Sequence, residues 1–229
     1  MRLPLYIEFS GKKIAIIGGG DIGSFRAKKF ADAGAEVTVY SLEFSSDLIQ
    51  LEKLGKVRLI SANARDLDYE KILPNYDLVV VALADKSLNS RIMEAARKFK
   101  VLVNIANDAN VTEVVVPIEG KVGEIRFAIT TEGKSSIAAR KAKEIIEETL
   151  KRREDLRYLL EVMDFIKFYM KSLNIPVDMR MKIYSSLSSD ENFLKLINDS
   201  KKDEAKEYAK EYIYKIINKK IDTEEVVNF

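Results

Sequence analysis

Lys13-Ile14-Ala15-Ile16-Ile17-Gly18-Gly19-Gly20-Asp21-Ile22-Gly23 is the stretch whose reading decides the fold. A compact apolar run is stopped by three glycines, and a helical pattern follows from Gly23 to Ala33. Gly18, Gly20 and Gly23 fit G-x-G-x-x-G in the strand–turn–helix context that the motif needs. Gly18 allows the sharp turn out of the strand. Gly20 has no side chain, so a pyrophosphate can approach the backbone, and Gly23 permits tight packing of helix on sheet. Asp21 and Ile22 then lie at the helix start, where free N–H groups meet an anion. The competing reading is a tight turn with a purely structural purpose; the context favours a dinucleotide site.

Working outward, further apolar runs follow at Glu36–Tyr40, Val57–Ile60, Asp77–Leu83 and Val101–Ala106, the third of these the strongest and the second the weakest. Helical patterns separate them, clearest again at Asn89–Lys98. Near-continuous apolar strands alternating with helices mean a parallel sheet covered on both faces. Right-handed crossovers then give an α/β, Rossmann-like doubly wound sheet. Residues 113–130 read differently. Val114-Val115-Val116 ends at Pro117, a turn with Gly120 and Gly123 follows, and Glu124–Thr130 alternates in part, which reads as added, antiparallel strand material. Ser135 or Ser136 is positioned to cap a helix starting near Ile137.

All ten glycines lie between Gly11 and Gly133, and only Pro176 of the prolines lies beyond residue 150. That shift marks a boundary near 150. Past it, Leu156, Leu159, Leu160, Met163, Ile166 and Met170 follow helical spacing. So do Phe193, Leu194 and Ile197, and later Tyr208, Tyr212, Ile213 and Ile216. The division expected is therefore 1–112 as a dinucleotide-binding domain, 113–150 as a small α+β segment, and 151–229 as an all-helical module.

Composition narrows the chemistry. The 229 residues hold 38 Lys+Arg against 36 Asp+Glu, a formal net charge of +2, with neither Cys nor His. So even a balance gives no sign of a nucleic-acid binder. Without Cys there are no disulfides, thiolate nucleophiles or thiolate-held metals; without His there is no imidazole base, triad or His-ligated zinc. Acid–base work falls to Asp, Glu, Lys or Tyr, and no metal site is expected. The start, Met1–Glu8, lacks the apolar run of a secretory signal, and nothing approaches the length of a membrane span. The expectation is a cytoplasmic protein away from membranes.

Around the glycines the candidate contacts are few. An NAD site typically places an acid about 20 residues on, at the end of the second strand. Here that place holds Tyr40-Ser41-Leu42-Glu43. Ser41 can bond a ribose hydroxyl and no Arg sits beside it, which leans to NAD over NADP. Ala82-Leu83-Ala84-Asp85 ends the fourth strand; Ala84 leaves room for a ligand, while Asp85 reads equally as the start of a helix. Asp108 follows the carboxyl end of the fifth strand, where doubly wound sheets place ligands. An acid there is also a common turn or cap residue.

Several segments together resemble the precorrin-2 dehydrogenase family, the dehydrogenase module of siroheme synthase. They are Leu3-Pro4-Leu5-Tyr6-Ile7, the Gly18–Gly23 turn, Val103-Asn104-Ile105-Ala106-Asn107-Asp108, and Ala128–Ser136 with Ala139-Arg140. The resemblance covers about residues 3–150. It implies an NAD-binding domain, a central dimerisation segment and hence a homodimer, a helical C-terminal domain, and oxidation of precorrin-2 to sirohydrochlorin by NAD. It implies catalysis by Asp108. The substrate so implied carries eight carboxylates, for which Asn104, Thr131, Lys134, Ser135 and Arg140 are the candidate contacts. Many family members have two adjacent acids where this chain has Asn107-Asp108, and its loop reads Glu132-Gly133 and Ser135-Ser136 where Gly-Gly and Ser-Pro are common. Two alternatives accompany the main reading. One is a bifunctional enzyme that also inserts iron into sirohydrochlorin; the other is a non-catalytic dinucleotide sensor.

Overall fold

The computed structural model describes residues 2–225, the last seven of these by their backbone alone. The chain forms two compact units. One runs to Ile118 and takes in Ile129–Arg140; the other comprises Glu119–Ala128 and the chain from Lys141 onward.

In the first unit five strands lie parallel in the order β3-β2-β1-β4-β5: β1 (Lys13–Ile17), β2 (Glu36–Ser41), β3 (Val57–Ser61), β4 (Leu78–Val81) and β5 (Leu102–Ile105). Ile14 pairs with Val37 on one side and Leu78 on the other. Each strand's alternate residues feed two cores. Ala15, Ile17, Val79, Val81, Val103 and Ile105 face one layer, with Leu88, Ile92 and Ala96 of α4 (Lys86–Lys98) and Tyr69 of α3 (Tyr69–Ile72). Ile14, Ile16, Val37, Val39 and Val80 face the other, with Ala27 and Phe30 of α1 (Asp21–Asp32) and Leu48 and Leu51 of α2 (Ser46–Lys53). Burial on both faces is why the central strands read as unbroken apolar runs. The chain walks outward from β1 through β2 to β3, then returns to β4 on the other side of β1. The reversal point therefore lies between the carboxyl ends of β1 and β4, where such sheets take their ligands.

Val114-Val115-Val116 forms no strand, contrary to the sequence reading. Glu113 and Val114 both donate their N–H to Val103 O, at 3.1 and 2.9 Å, and Val114 and Val116 pack on the sheet's second face. The strand material begins after Pro117, as β6 (Ile118–Val122) and β7 (Ile125–Ile129). Gly123, at φ +58°, opens the two-residue turn between them, a length that joins antiparallel strands.

Helix α5 (Ser136–Arg152) follows, its start capped by Ser135, whose Oγ accepts from Ala138 N–H at 3.1 Å. The second unit continues through α6 (Glu154–Ser172), α7 (Val177–Ser188), α8 (Glu191–Asn198) and α9 (Lys202–Glu225). Its core gathers Val162, Ile166 and Met170 with Phe193, Ile197 and Ile213. Among the described residues no helix is long and apolar enough to cross a membrane.

Candidate functional site

The glycine turn is fixed by the protein at three of its four glycines and open at the fourth. Gly18 has φ +114°, and a Cβ there would stand 2.8 Å from Ala82 O, across the reversal point. A Cβ on Gly19 would meet Glu43 O at 2.4 Å, and one on Gly23 would meet Gly18 O at 2.0 Å. A Cβ on Gly20 would meet nothing within 4 Å. Gly20 is also the N-cap of α1, and no side chain caps that helix. Orphan N–H groups therefore point into open space over a residue with no side chain, which fits a pyrophosphate. Asp21 and the half-exposed Ile22 form the first turn of that helix.

Two residues that the motif does not name, Ser24 and Ser45, hold the turn. Gly19 O accepts from Ser45 N–H at 3.1 Å. Ser24 Oγ donates to Gly20 O at 2.9 Å and lies 2.6 Å from Ser45 Oγ. Ser45 also caps α2 through Leu48 N–H. The sequence reading gave no role to Ser24 or Ser45. Ser41, last residue of β2, sits beside the turn: a Cβ on Gly19 would come 2.9 Å from its Cβ.

At the end of β4, Ala84 is exposed and Asp85 is the N-cap of α4. Asp85 Oδ1 accepts from Ser87 N–H (3.0 Å), Ser87 Oγ (2.7 Å) and Leu88 N–H (3.2 Å), while Oδ2 takes Arg65 at 2.7 Å. The Ser87 hydroxyl, the helix N–H groups and the Arg65 guanidinium together pull its carboxyl down to about 2.

Asp108 is half-buried, three residues past β5, and its Oδ1 accepts from Asn110 N–H at 3.0 Å. It lines a cavity of about 480 Å³ with Val111 and one face of α4, including Lys86, Asn89, Met93 and Arg97. Asn89 is 5% exposed, and its Oδ1 has no hydrogen-bond partner. No residue of the glycine turn lines this cavity. The link between the two places is Asn107, which donates to Leu83 O at the exit of β4, at 2.8 Å. The sequence reading gave neither Asn107 nor Asn89 a role: Asn107 entered only as part of the Val103–Asp108 segment and Asn89 only as the start of a helical stretch.

Asn104 is 3% exposed, on the face of β5 opposite Val103 and Ile105, and donates to Val114 O at 2.7 Å, with its own Oδ1 unpaired. Thr112 Oγ1 completes this staple, accepting from Ile105 N–H at 2.8 Å. Arg2 then ties the loop after β5 to the loop before α5. It donates to Ala109 O (2.5 Å) and Thr112 O (2.8 Å) and pairs with Glu132. Gly133, at φ +82°, faces Ala109 so closely that a Cβ would come within 2.3 Å of it. The structure thus brings the Thr131–Ser135 loop alongside the Asp108 loop. Thr131 and Ser135 spend their hydroxyls locally: Thr131 Oγ1 bonds Ser135 N–H (2.9 Å) and Ser135 O (3.0 Å), and Ser135 Oγ caps α5. Lys134 and Arg140 are exposed.

Comparison with known proteins follows the same lines. A family model described as "Putative NAD(P)-binding" matches residues 5–118, which contain the whole parallel sheet. A "Putative precorrin-2 dehydrogenase" of Methanocaldococcus jannaschii is 30% identical over 199 residues, covering 85% of this chain and 96% of that protein. The chain belongs to the precorrin-2 dehydrogenase family. A second member, the precorrin-2 dehydrogenase of Methanosarcina barkeri, is 31% identical over 172 residues, 74% of this chain and 75% of its own. The solved structure of SirC, a precorrin-2 dehydrogenase, covers 92% of this chain and all of its own with a TM-score of 0.66; at 22% identity it supports the fold.

Proposed function

We propose that this chain is an NAD-dependent oxidoreductase that dehydrogenates precorrin-2 to sirohydrochlorin. The observation that carries it is the open, uncapped cradle at Gly20, set at the reversal point of a sheet whose relatives bear that activity in their names. Bound there, NAD+ supplies the hydride acceptor. Gly18, Gly20 and Gly23, with the N–H groups of Asp21 and Ile22, hold the pyrophosphate; Ser41 takes the ribose, and Ala84 leaves room at the end of β4. Asp108 takes the proton that leaves with the hydride. Lys134 and Arg140 are exposed cations suited to the carboxylates of the substrate. Thr131 and Ser135 shape the loop that presents them, and Asn104 braces the loop that carries Asp108. Iron insertion is not part of this reading.

The division into 1–112, 113–150 and 151–229 is a division of labour: dinucleotide binding, dimerisation and a helical module. Support for a homodimer comes from α5, which buries only Ala139 while leaving Ile137 81% and Ile145 55% exposed. Light scattering of wild type and Ile145→Glu tests it, with the wild type dimeric and the variant shifted toward monomer. The reaction belongs to the cytoplasm on this reading.

The test of the activity is anaerobic assay of purified protein with precorrin-2 and NAD+, following NADH at 340 nm. Production of NADH and sirohydrochlorin is the expected result. Tight NAD+ binding with no turnover would make the chain a dinucleotide sensor.

A further inference from the structure

A loop that no motif singles out leaves β3 at the carboxyl end of the sheet, the end that carries the glycine turn. β3 ends at Ser61, and Ala62 N–H donates to Ser41 O at 3.0 Å, so the loop starts level with the carboxyl end of β2. Asn63 turns it, accepting from Arg65 N–H on its side chain and from Asp66 N–H on its carbonyl, both at 3.0 Å. Arg91 of α4 clamps it, donating to Arg65 O at 2.8 Å and Leu67 O at 2.9 Å. The Arg65 side chain then reaches Asp85, the N-cap of α4. In the sheet order, β2 and β1 separate β3 from β4, with strands spaced about 4.8 Å apart. The Arg65–Asp85 pair therefore bridges the strands whose carboxyl ends carry Ser41 and Gly18.

Exposed ion pairs do little for stability. This one is nonetheless built with care: Asn63 and Arg91 hold the backbone of Arg65, Asp85 holds its guanidinium, and 73% of the Arg65 side chain stays open. A planar cation held at one nitrogen keeps its faces free, and those faces stack on aromatic rings. A dinucleotide seated on the glycine turn sends its adenosine toward the end of β2. We propose that Arg65 is a cofactor contact whose guanidinium stacks on the adenine ring, held in place through Asp85. Asp85 is well below the usual carboxylate range, so the anchor stays charged at any working pH.

The proposal rests on the glycine turn being the dinucleotide site, and the test separates the two. The probes are NAD+ and ADP-ribose, which carry adenine, and nicotinamide mononucleotide, which does not. Titration calorimetry serves the first two and ligand-observed NMR the third. In Arg65→Ala, NAD+ and ADP-ribose weaken about tenfold, the size of one well-formed cation–π contact, while the mononucleotide binds as in wild type. Arg65→Lys keeps the charge but loses the plane, and stays weakened by about threefold or more. Adenine ligands within twofold of wild type in Arg65→Ala overturn the proposal. So does full recovery in Arg65→Lys, or equal weakening of all three ligands. A wild type that fails to bind ADP-ribose overturns the glycine-turn reading itself and takes this proposal with it.

Discussion

Two single-methyl substitutions, three residues apart, separate the architectural from the binding role of the turn. In Gly23→Ala the new Cβ lies 2.0 Å from Gly18 O, where real Cβ atoms stay beyond 3.0 Å. The obstacle is backbone, and it is the backbone of the turn itself. Overpacking of this kind costs about 1–3 kcal/mol, and an obstacle that cannot rotate away puts Gly23→Ala at ~3 kcal/mol. At about 2–4 °C per kcal/mol for a chain of this size, the melting temperature falls by roughly 6–12 °C. Gly20→Ala meets no protein atom within 4 Å, and the backbone there, φ −79° and ψ −167°, is extended and open to alanine. Its cost to the fold is the poorer N-cap, about 0.5 kcal/mol, or ~1–2 °C. Its methyl group, however, fills the space assigned to the pyrophosphate, so NAD+ affinity drops by about tenfold or more. Calorimetric melting and NAD+ titration on both variants give the two readouts. Wild-type NAD+ affinity in Gly20→Ala would refute the reasoning about the cradle, and an unchanged melting temperature in Gly23→Ala would refute the reasoning about packing.

Asp108→Asn lowers kcat by about 10²–10⁴-fold, the usual contribution of a positioned general base, with the NAD+ dissociation constant unchanged; steady-state rates beside titration calorimetry check both. Asp85 contributes to acid stability. Its folded pKa is about 2, below the ordinary carboxylate value, so its contribution is complete above about pH 4 and fades as pH falls through 2. Acid unfolding of Asp85→Asn should accordingly lose pH dependence in that window, and a curve parallel to wild type would count against the cap. Arg2→Ala removes charge-assisted bonds to two loops and costs about 2 kcal/mol. Hydrogen exchange should speed up at Ala109–Thr112 and Glu132–Ser135 while the amides of Gly18–Gly23 are unaffected.

Much of the first unit was legible because its signals are local. β1 and β4 are buried on both faces, and residues 14–17 and 78–81 are almost wholly shielded, so each shows as an apolar run with no polar interruption. β3 was the weakest run because Leu59 and Ile60 of this edge strand are only half-buried. α2 and α3 are eight and four residues long, too short for a periodic pattern to stand out. Val114–Val116 misled for a physical reason: β-branched residues suit a strand, but the N–H of Val114 is taken by Val103 O, and the side chains of Val114 and Val116 cover a sheet face instead. For Asn104 the sequence could not show that its amide nitrogen staples Val114, because that partner is set by the path of the chain after β5.

The glycine turn, the doubly wound sheet and the helical second unit were determined by the sequence alone, because each depends on neighbours a few residues apart. Glycine fixes the backbone it permits, and the spacing of apolar side chains fixes the face they bury. Tertiary structure decided the rest: that Gly20 looks out on empty space while its three neighbours do not, that Asp108 shares a cavity with α4, and that Arg65 reaches Asp85 from the far side of two strands. Apart from the Gly18–Gly23 contact inside the turn, these are distances between residues 11 to 64 positions apart that the packing of helices on the sheet sets, and no local spacing encodes them.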